Sequence, residues 1–215
     1  MPQLNLTNDW KKINPQAFWG DIAACDHVLQ IYENENVFID LLEGYVAGGF
    51  RAGDCVIVIA TSVHLNALED KLISVGFNIS ALKASDQYIA LNAQETLARF
   101  MVHGWPDRNR FIKTASELIA RARKSKRQVR AFGEMVAILW AQGNHGATIH
   151  LEQLWNQFCA TESLCLFCAY PQSGFTEDAQ ESMKHICGHH TKMVTSFGMP
   201  KTEIAYSTMT SQKPG

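Results

Sequence analysis

Six consecutive residues, Cys55-Val-Ile-Val-Ile-Ala60, constrain the fold more than any other stretch of the chain. A strand with one face in water alternates apolar and polar side chains. This one is apolar throughout and rich in β-branched residues, so it reads as a strand covered on both faces. Cover on both faces calls for helices above and below a sheet, and the flanking segments supply them. Upstream, Val37, Phe38, Leu41, Leu42, Tyr45 and Val46 recur with helical period, and Gly48-Gly49 marks the expected end. Downstream, residues 65–75 read as the next helix, closed by Gly76.

The same alternation runs along the chain. Residues 27–32, 87–91, 129–132 and 164–169 read as strands. Phe111, Ile112, Ala115, Leu118, Ile119 and Ala122 stripe a long helix, and Met135 to Trp140 form a short buried one. Leu151, Leu154, Trp155, Phe158 and Cys159 define a further helix face, which leaves Glu152, Gln153, Asn156 and Gln157 for its wet side. Residues 176–187 are the final helix. Strands separated by helices imply one α/β domain, a mostly parallel central sheet flanked by helices on both faces as a three-layer sandwich. Residues 1–24 read as a polar lead-in with one amphipathic piece around Trp10 to Trp19. Residues 25–198 form the domain, and 199–215 a flexible tail, Ser/Thr/Lys-rich from Thr202.

Composition excludes several classes. The net charge of -2 gives no sign of a nucleic-acid or anionic-membrane partner. No apolar run is long enough for a transmembrane helix, and the first ten residues lack the pattern of a signal peptide. The six cysteines are scattered through apolar segments, which favours reduced thiols and a cytoplasmic location.

Chemistry concentrates at strand ends. Glu134 sits where a strand pattern changes into a helical one, at the edge where open α/β sheets bind ligands. The alternative is a carboxylate that complements a helix N-terminus. Thr61 also follows a strand and opens a helix, as a cap or as a ligand contact. Both G-x-x-x-x-G-K-[ST] and G-x-G-x-x-G are absent, which argues against ATP hydrolysis. His185, Cys187, His189 and His190 crowd the end of the last helix but do not share a face. Cys165 and Cys168, three apart on a strand, point to opposite sides. Neither a metal site nor a cofactor is expected. The basic run Arg121 to Arg130 reads as a solvated helix end, and no nucleophile motif is present.

Several blocks in order resemble one family. They are His27-Val-Leu-Gln-Ile-Tyr32; Arg130-Ala-Phe-Gly-Glu-Met135 followed by Leu139-Trp140 and Gly143-Asn144; Leu151-Glu152 with Leu154-Trp155-Asn156; and Leu166-Phe-Cys-Ala-Tyr-Pro171 with Ile186-Cys187 and His190. Over roughly residues 20–195 the chain is similar to the MEDS domain, the sensory domain named for methanogens, methylotrophs and the dichloromethane regulator. The resemblance implies a RecA- or KaiC-like core without a working phosphate loop. It also implies a non-catalytic cytoplasmic sensor of a small organic ligand such as a hydrocarbon derivative. Family members are often fused to kinase or DNA-binding modules, which this chain has no room for. It would therefore signal through a partner or its own oligomer. The residues expected to meet the ligand are His27, Tyr32, Thr61, Glu134, Trp140, Tyr170 and His190. The alternatives are a degenerate nucleotide-binding or hydrolytic enzyme using Glu134 as base, and a pure interaction scaffold.

Overall fold

The computed structural model describes residues 10–175, 180–196 and 198–209. The uninterrupted apolar run becomes β3 (Cys55–Ala60), buried at all six positions and set between two other parallel strands. Ten strands and nine helices are described. The remaining strands are β1 (Lys11–Ile13), β2 (His27–Tyr32), β4 (Tyr88–Asn92), β5 (Met101–Val102), β6 (Trp105–Pro106), β7 (Val129–Gly133), β8 (Cys165–Pro171), β9 (Lys192–Thr195) and β10 (Ile204–Thr208). The helices are α1 (Pro15–Gly20), α2 (Glu35–Ala52), α3 (Ser62–Ser74), α4 (Ile79–Ala84), α5 (Ala93–Ala98), α6 (Arg108–Ala122), α7 (Met135–Ala141), α8 (His145–Glu162) and α9 (Gln180–Gly188). The eight-stranded sheet runs β1-β10-β9-β2-β8-β7-β3-β4, and β5 and β6 form a separate hairpin. From β9 to β4 every pairing is parallel, whereas β1 and β10 add antiparallel strands at one edge.

Two apolar clusters, one per face, pack against this sheet. Ile57, Ile59, Ala131 and Cys168 point toward α6, α7 and α8; Val56, Val58, Phe132 and Cys165 point toward α2 and α3. Cys165 and Cys168 thus lie on opposite faces, as strand alternation requires.

Helix α2 does not stop at Gly48-Gly49. It continues to Ala52 and ends on Gly53 in the left-handed conformation (φ 82°). The paired glycines give clearance instead. A Cβ at Gly49 would lie 2.6 Å from Val56 Cγ2 and 3.2 Å from Arg130 Cδ.

Three further expectations are corrected. The described part of the lead-in, residues 10–24, is part of the fold: Trp19 is fully buried and α1 packs on α2. The described part of the tail is β10, paired with both β9 and β1. Ile204, Ala205 and Ser207 of β10 are buried, which ties it down despite its Ser/Thr content. The basic run is solvated only in part. Arg121 and Arg123 pair with Asp86 and Glu162 at the surface, but Arg130 lies in β7 and is buried. The first four positions of the expected last helix, 176–179, lie outside the described residues.

Candidate functional site

The seven residues expected at the site divide into two groups, joined by residues that spacing alone did not single out. The first group stands at the carboxyl edge of β2, β3 and β7. Glu134 ends the β7 ladder with its N–H on Ile59 O (2.9 Å) and begins α7. Its carboxylate makes no cap on α7. It crosses to the N-terminus of α3, where Oε2 accepts from Thr61 N (2.8 Å) and Oε1 from His64 Nδ1 (2.8 Å). His64 Nε2 in turn donates to Glu35 Oε2 at 2.9 Å. Thr61 caps α3, its Oγ1 accepting from His64 N at 3.4 Å. Tyr32 stacks on Phe38 with ring centroids 4.7 Å apart, and Phe38 meets His64 edge-on at 5.1 Å. Burial and the nearby Glu35 raise the Tyr32 pKa, so this phenol stays protonated.

With a carboxylate on each ring nitrogen, His64 is held as an imidazolium. The hydrogen bond it donates to Glu134 raises its pKa above the usual histidine value, against the lowering effect of burial. The fold therefore binds this proton more tightly than the unfolded chain does. That stabilisation is complete below the unfolded pKa of about 6.5 and is lost as pH rises through the folded value. His64→Ala should accordingly cost more stability at pH 5.5 than at pH 9 in urea denaturation. An equal cost at both pH values would show that the paired charge is not stabilising.

The second group is buried between β2, β8, α8 and the segment following α9. His27, Glu152, Cys168 and His190 are each no more than 1% exposed. His27 Nε2 lies 3.4 Å from Cys168 Sγ and 3.5 Å from Glu152 Oε2, and His190 Nε2 lies 3.8 Å from the same Oε2. The two imidazole centroids are 3.9 Å apart. The Tyr170 hydroxyl donates to Glu152 Oε1. These distances are within or near ion-pair range, yet burial keeps the groups uncharged. It pushes Glu152 up to about 8, pulls His190 down to about 3, lowers His27 and raises the Cys168 thiol. Trp140 closes this region from α7. Its Nε1 donates to Gly174 O (2.7 Å), and its ring lies 6.2 Å from Tyr170 and 4.9 Å from Phe175.

Glu152 was expected on the wet face of α8 and is instead fully buried. It lies four residues after Thr148 and seven before Cys159, both also buried, so the core stripe of α8 is one position wider than its apolar residues suggest. His190 is grouped with residues from three other elements and not with its sequence neighbours His185 and His189. Two cavities are described elsewhere. A groove of about 160 Å³ lies between α6 and α8, and a void of about 10 Å³, near the size of one water, lies among Ile59, Phe100, Phe111 and Met135. None of the seven expected residues lines either one.

The model of the MEthanogen/methylotroph, DcmR Sensory domain matches residues 26–191, which span both groups. The chain belongs to the MEDS family. A comparison with curated proteins returns no match. Among solved structures, the MEDS fold is similar to a KaiC-like protein from the hyperthermophilic archaeon Pyrococcus horikoshii OT3. The TM-score is 0.55 at 6% identity, over 82% of this chain and 74% of that one. At that identity the likeness concerns the fold alone, and it agrees with the KaiC-like core expected of a MEDS domain. Four residues in these two groups were not among those expected to meet a ligand: Glu35, His64, Glu152 and Cys168. For His64 the signal was its place three residues after the α3 cap. For Glu152 it was the buried stripe of α8.

Proposed function

We propose that this MEDS domain is a non-catalytic cytoplasmic sensor that takes up a small organic ligand and passes its state to a partner signalling protein. The observation that carries this reading is where the Glu134 carboxylate lies. A nucleotide-binding α/β protein offers the helix N-terminus after a strand to phosphate. Here the N–H of Thr61 at that terminus is already bonded to the protein's own carboxylate. The other carboxylate oxygen accepts from His64, so both oxygens of Glu134 are engaged within the protein. Five buried thiols without disulfides support a reducing compartment, and no helix among the described residues is long and apolar enough to cross a membrane.

The contacts assigned to the ligand are Tyr32, Thr61 and Glu134 at the edge, with Trp140 and Tyr170 as the aromatic wall leading to His27 and His190. A ligand hydroxyl competes with His64 for Glu134 Oε1 and so loosens α3 from β7. Movement at His190 reaches β9 and β10 directly, because Thr191 N donates to His27 O and Met209 N to Thr191 O. A ligand drives such a shift only by binding one arrangement better than the other.

The test pairs two measurements on the native protein. Titration with simple alcohols is expected to shift the His64 ring resonances and change hydrogen exchange over residues 180–196. ATP and GTP are expected to show no turnover. Sustained hydrolysis that is abolished by Glu134→Gln would replace the sensor with an enzyme. Ligand binding with unchanged exchange over 180–196 would rule out this route for the signal.

A further inference from the structure

We propose that His27, Glu152, Cys168 and His190 form a closed, four-ligand site for a divalent transition-metal ion of the zinc class. The donor atoms are the two imidazole Nε2 atoms, the Cys168 sulfur and a Glu152 oxygen. The site reassigns His27 and His190, which then hold the ion, and leaves the ligand of the proposed function to Tyr32, Thr61, Glu134, Trp140 and Tyr170.

Four observations converge. The first is the composition of the donor set. Two imidazoles, a thiol and a carboxyl, from residues 27, 152, 168 and 190, meet with all four ligand atoms within 4.8 Å of one another. This mixture of nitrogen, sulfur and oxygen is one that zinc takes in four-coordinate sites.

The second is spacing. Bonds of about 2.0–2.3 Å arranged tetrahedrally place ligand atoms roughly 3.3–3.8 Å apart. His27 Nε2 to Cys168 Sγ is 3.4 Å, His27 Nε2 to Glu152 Oε2 is 3.5 Å, and His190 Nε2 to Glu152 Oε2 is 3.8 Å. Cys168 Sγ to Glu152 Oε2, at 4.0 Å, needs only a small contraction.

The third is the orientation of both rings. His27 Nδ1 is 2.9 Å from His189 O and His190 Nδ1 is 2.7 Å from Ile186 O. A carbonyl only accepts, so each Nδ1 carries the proton and each neutral ring directs the lone pair of Nε2 into the cluster. Outer-shell carbonyls that fix the tautomer in this way are characteristic of metal-ligating histidines. Tyr170 does the same for Glu152 by bonding the other carboxyl oxygen.

The fourth is an unpaired atom. His190 is fully buried, and its Nε2 has no hydrogen-bond partner. A buried acceptor left without a donor is costly, and a cation shared by the four groups removes that cost. When the ion enters, the thiol and the carboxyl each release one proton. Two anionic and two neutral ligands then balance the doubly charged ion, and the dry site carries no net charge.

With four protein ligands, the ion would pin the start of β2 and the residues after α9 to α8 and β8. It would be structural, with no position open for substrate.

The test uses the full-length protein stripped with a chelator, then titrated with Zn²⁺ against a chromophoric competitor and with Co²⁺ by absorbance. The native protein is expected to bind one equivalent. Co²⁺ should give an intense tetrahedral visible spectrum with a thiolate charge-transfer band in the near ultraviolet. Cys168→Ser should lose that band. Both Cys168→Ser and Glu152→Gln should weaken Zn²⁺ binding by at least the roughly 10–100-fold that loss of an outer-shell partner costs. Cys165→Ser, on the opposite face of the sheet, should leave it unchanged. No binding of either ion by the native protein, or a Co²⁺ complex without the thiolate band, overturns the proposal. So does native affinity in both Cys168→Ser and Glu152→Gln. The native measurements decide the matter even if the variants fail to fold.

Discussion

Arg130→Ala is expected to destabilise the protein by about 3–5 kcal/mol, the usual cost of removing one partner of a buried ion pair. Arg130 leaves β7 through the space that Gly49 keeps open. Its Nε donates to Asp54 Oδ2 at 2.5 Å and its Nη1 to the Trp19 carbonyl at 2.9 Å. The guanidinium also lies 5.8 Å from the centre of the Tyr45 ring. Without it, the Asp54 carboxylate, 8% exposed, is left without a counter-charge. The arginine fork is what makes both bonds at once, so Arg130→Lys should recover only part of the loss. Urea denaturation of the three proteins checks this. A cost below about 1 kcal/mol for the alanine variant, in the range of exposed pairs, would mean that Asp54 finds water when Arg130 is gone.

Trp19→Ala is expected to cost a similar roughly 3–5 kcal/mol, by a different route. The indole is fully buried. It meets Tyr45 edge-on at 4.9 Å and Phe167 at 5.2 Å, and the chain opposite it is glycine, with a Cβ at Gly44 placed only 3.3 Å from the ring. Its Nε1 has no hydrogen-bond partner, so deletion loses packing and leaves no orphaned acceptor. Trp19→Phe should therefore retain most of the stability that Trp19→Ala loses. Thermal melting distinguishes the two. If the phenylalanine variant falls as far as the alanine one, the contribution is not one of volume. Either result bears on where the folded unit starts, because a boundary drawn at residue 25 leaves this side chain out.

The parallel centre of the fold was legible because a strand buried on both faces is apolar throughout, and its Val and Ile content separates Cys55–Ala60 from an apolar helix such as Met135–Ala141. Cys55–Ala60 has to be covered twice, and 129–132 and 164–169 follow the same rule. The edge was not legible. Lys11–Ile13 and Ile204–Thr208 are short and mixed in polarity, and they are strands only because each finds the other. Gly48-Gly49 carries the composition of a helix end but serves close packing, a distinction that depends on Val56 and Arg130 across the gap. At the site, Glu134 and Thr61 were found because strand-to-helix transitions are local. In the other centre His27 and His190 were expected, but their meeting with Glu152 and Cys168 was not, since residues 27, 152, 168 and 190 come from four separate parts of the chain. Their meeting is a property of strand order, and spacing along the sequence does not encode it.

The pairing of Lys11 with Tyr206 carries a consequence for how the domain is read from outside. The first and last described strands are hydrogen-bonded neighbours, so the chain arrives and departs along one margin of the sheet. Only β9 separates that margin from the strand that begins with His27. A module packed on the border that β1 and β10 form would lie two strand positions from β2, which begins with His27. On the proposed sensor reading, a change there would reach such a module through β9 and the seam beneath it.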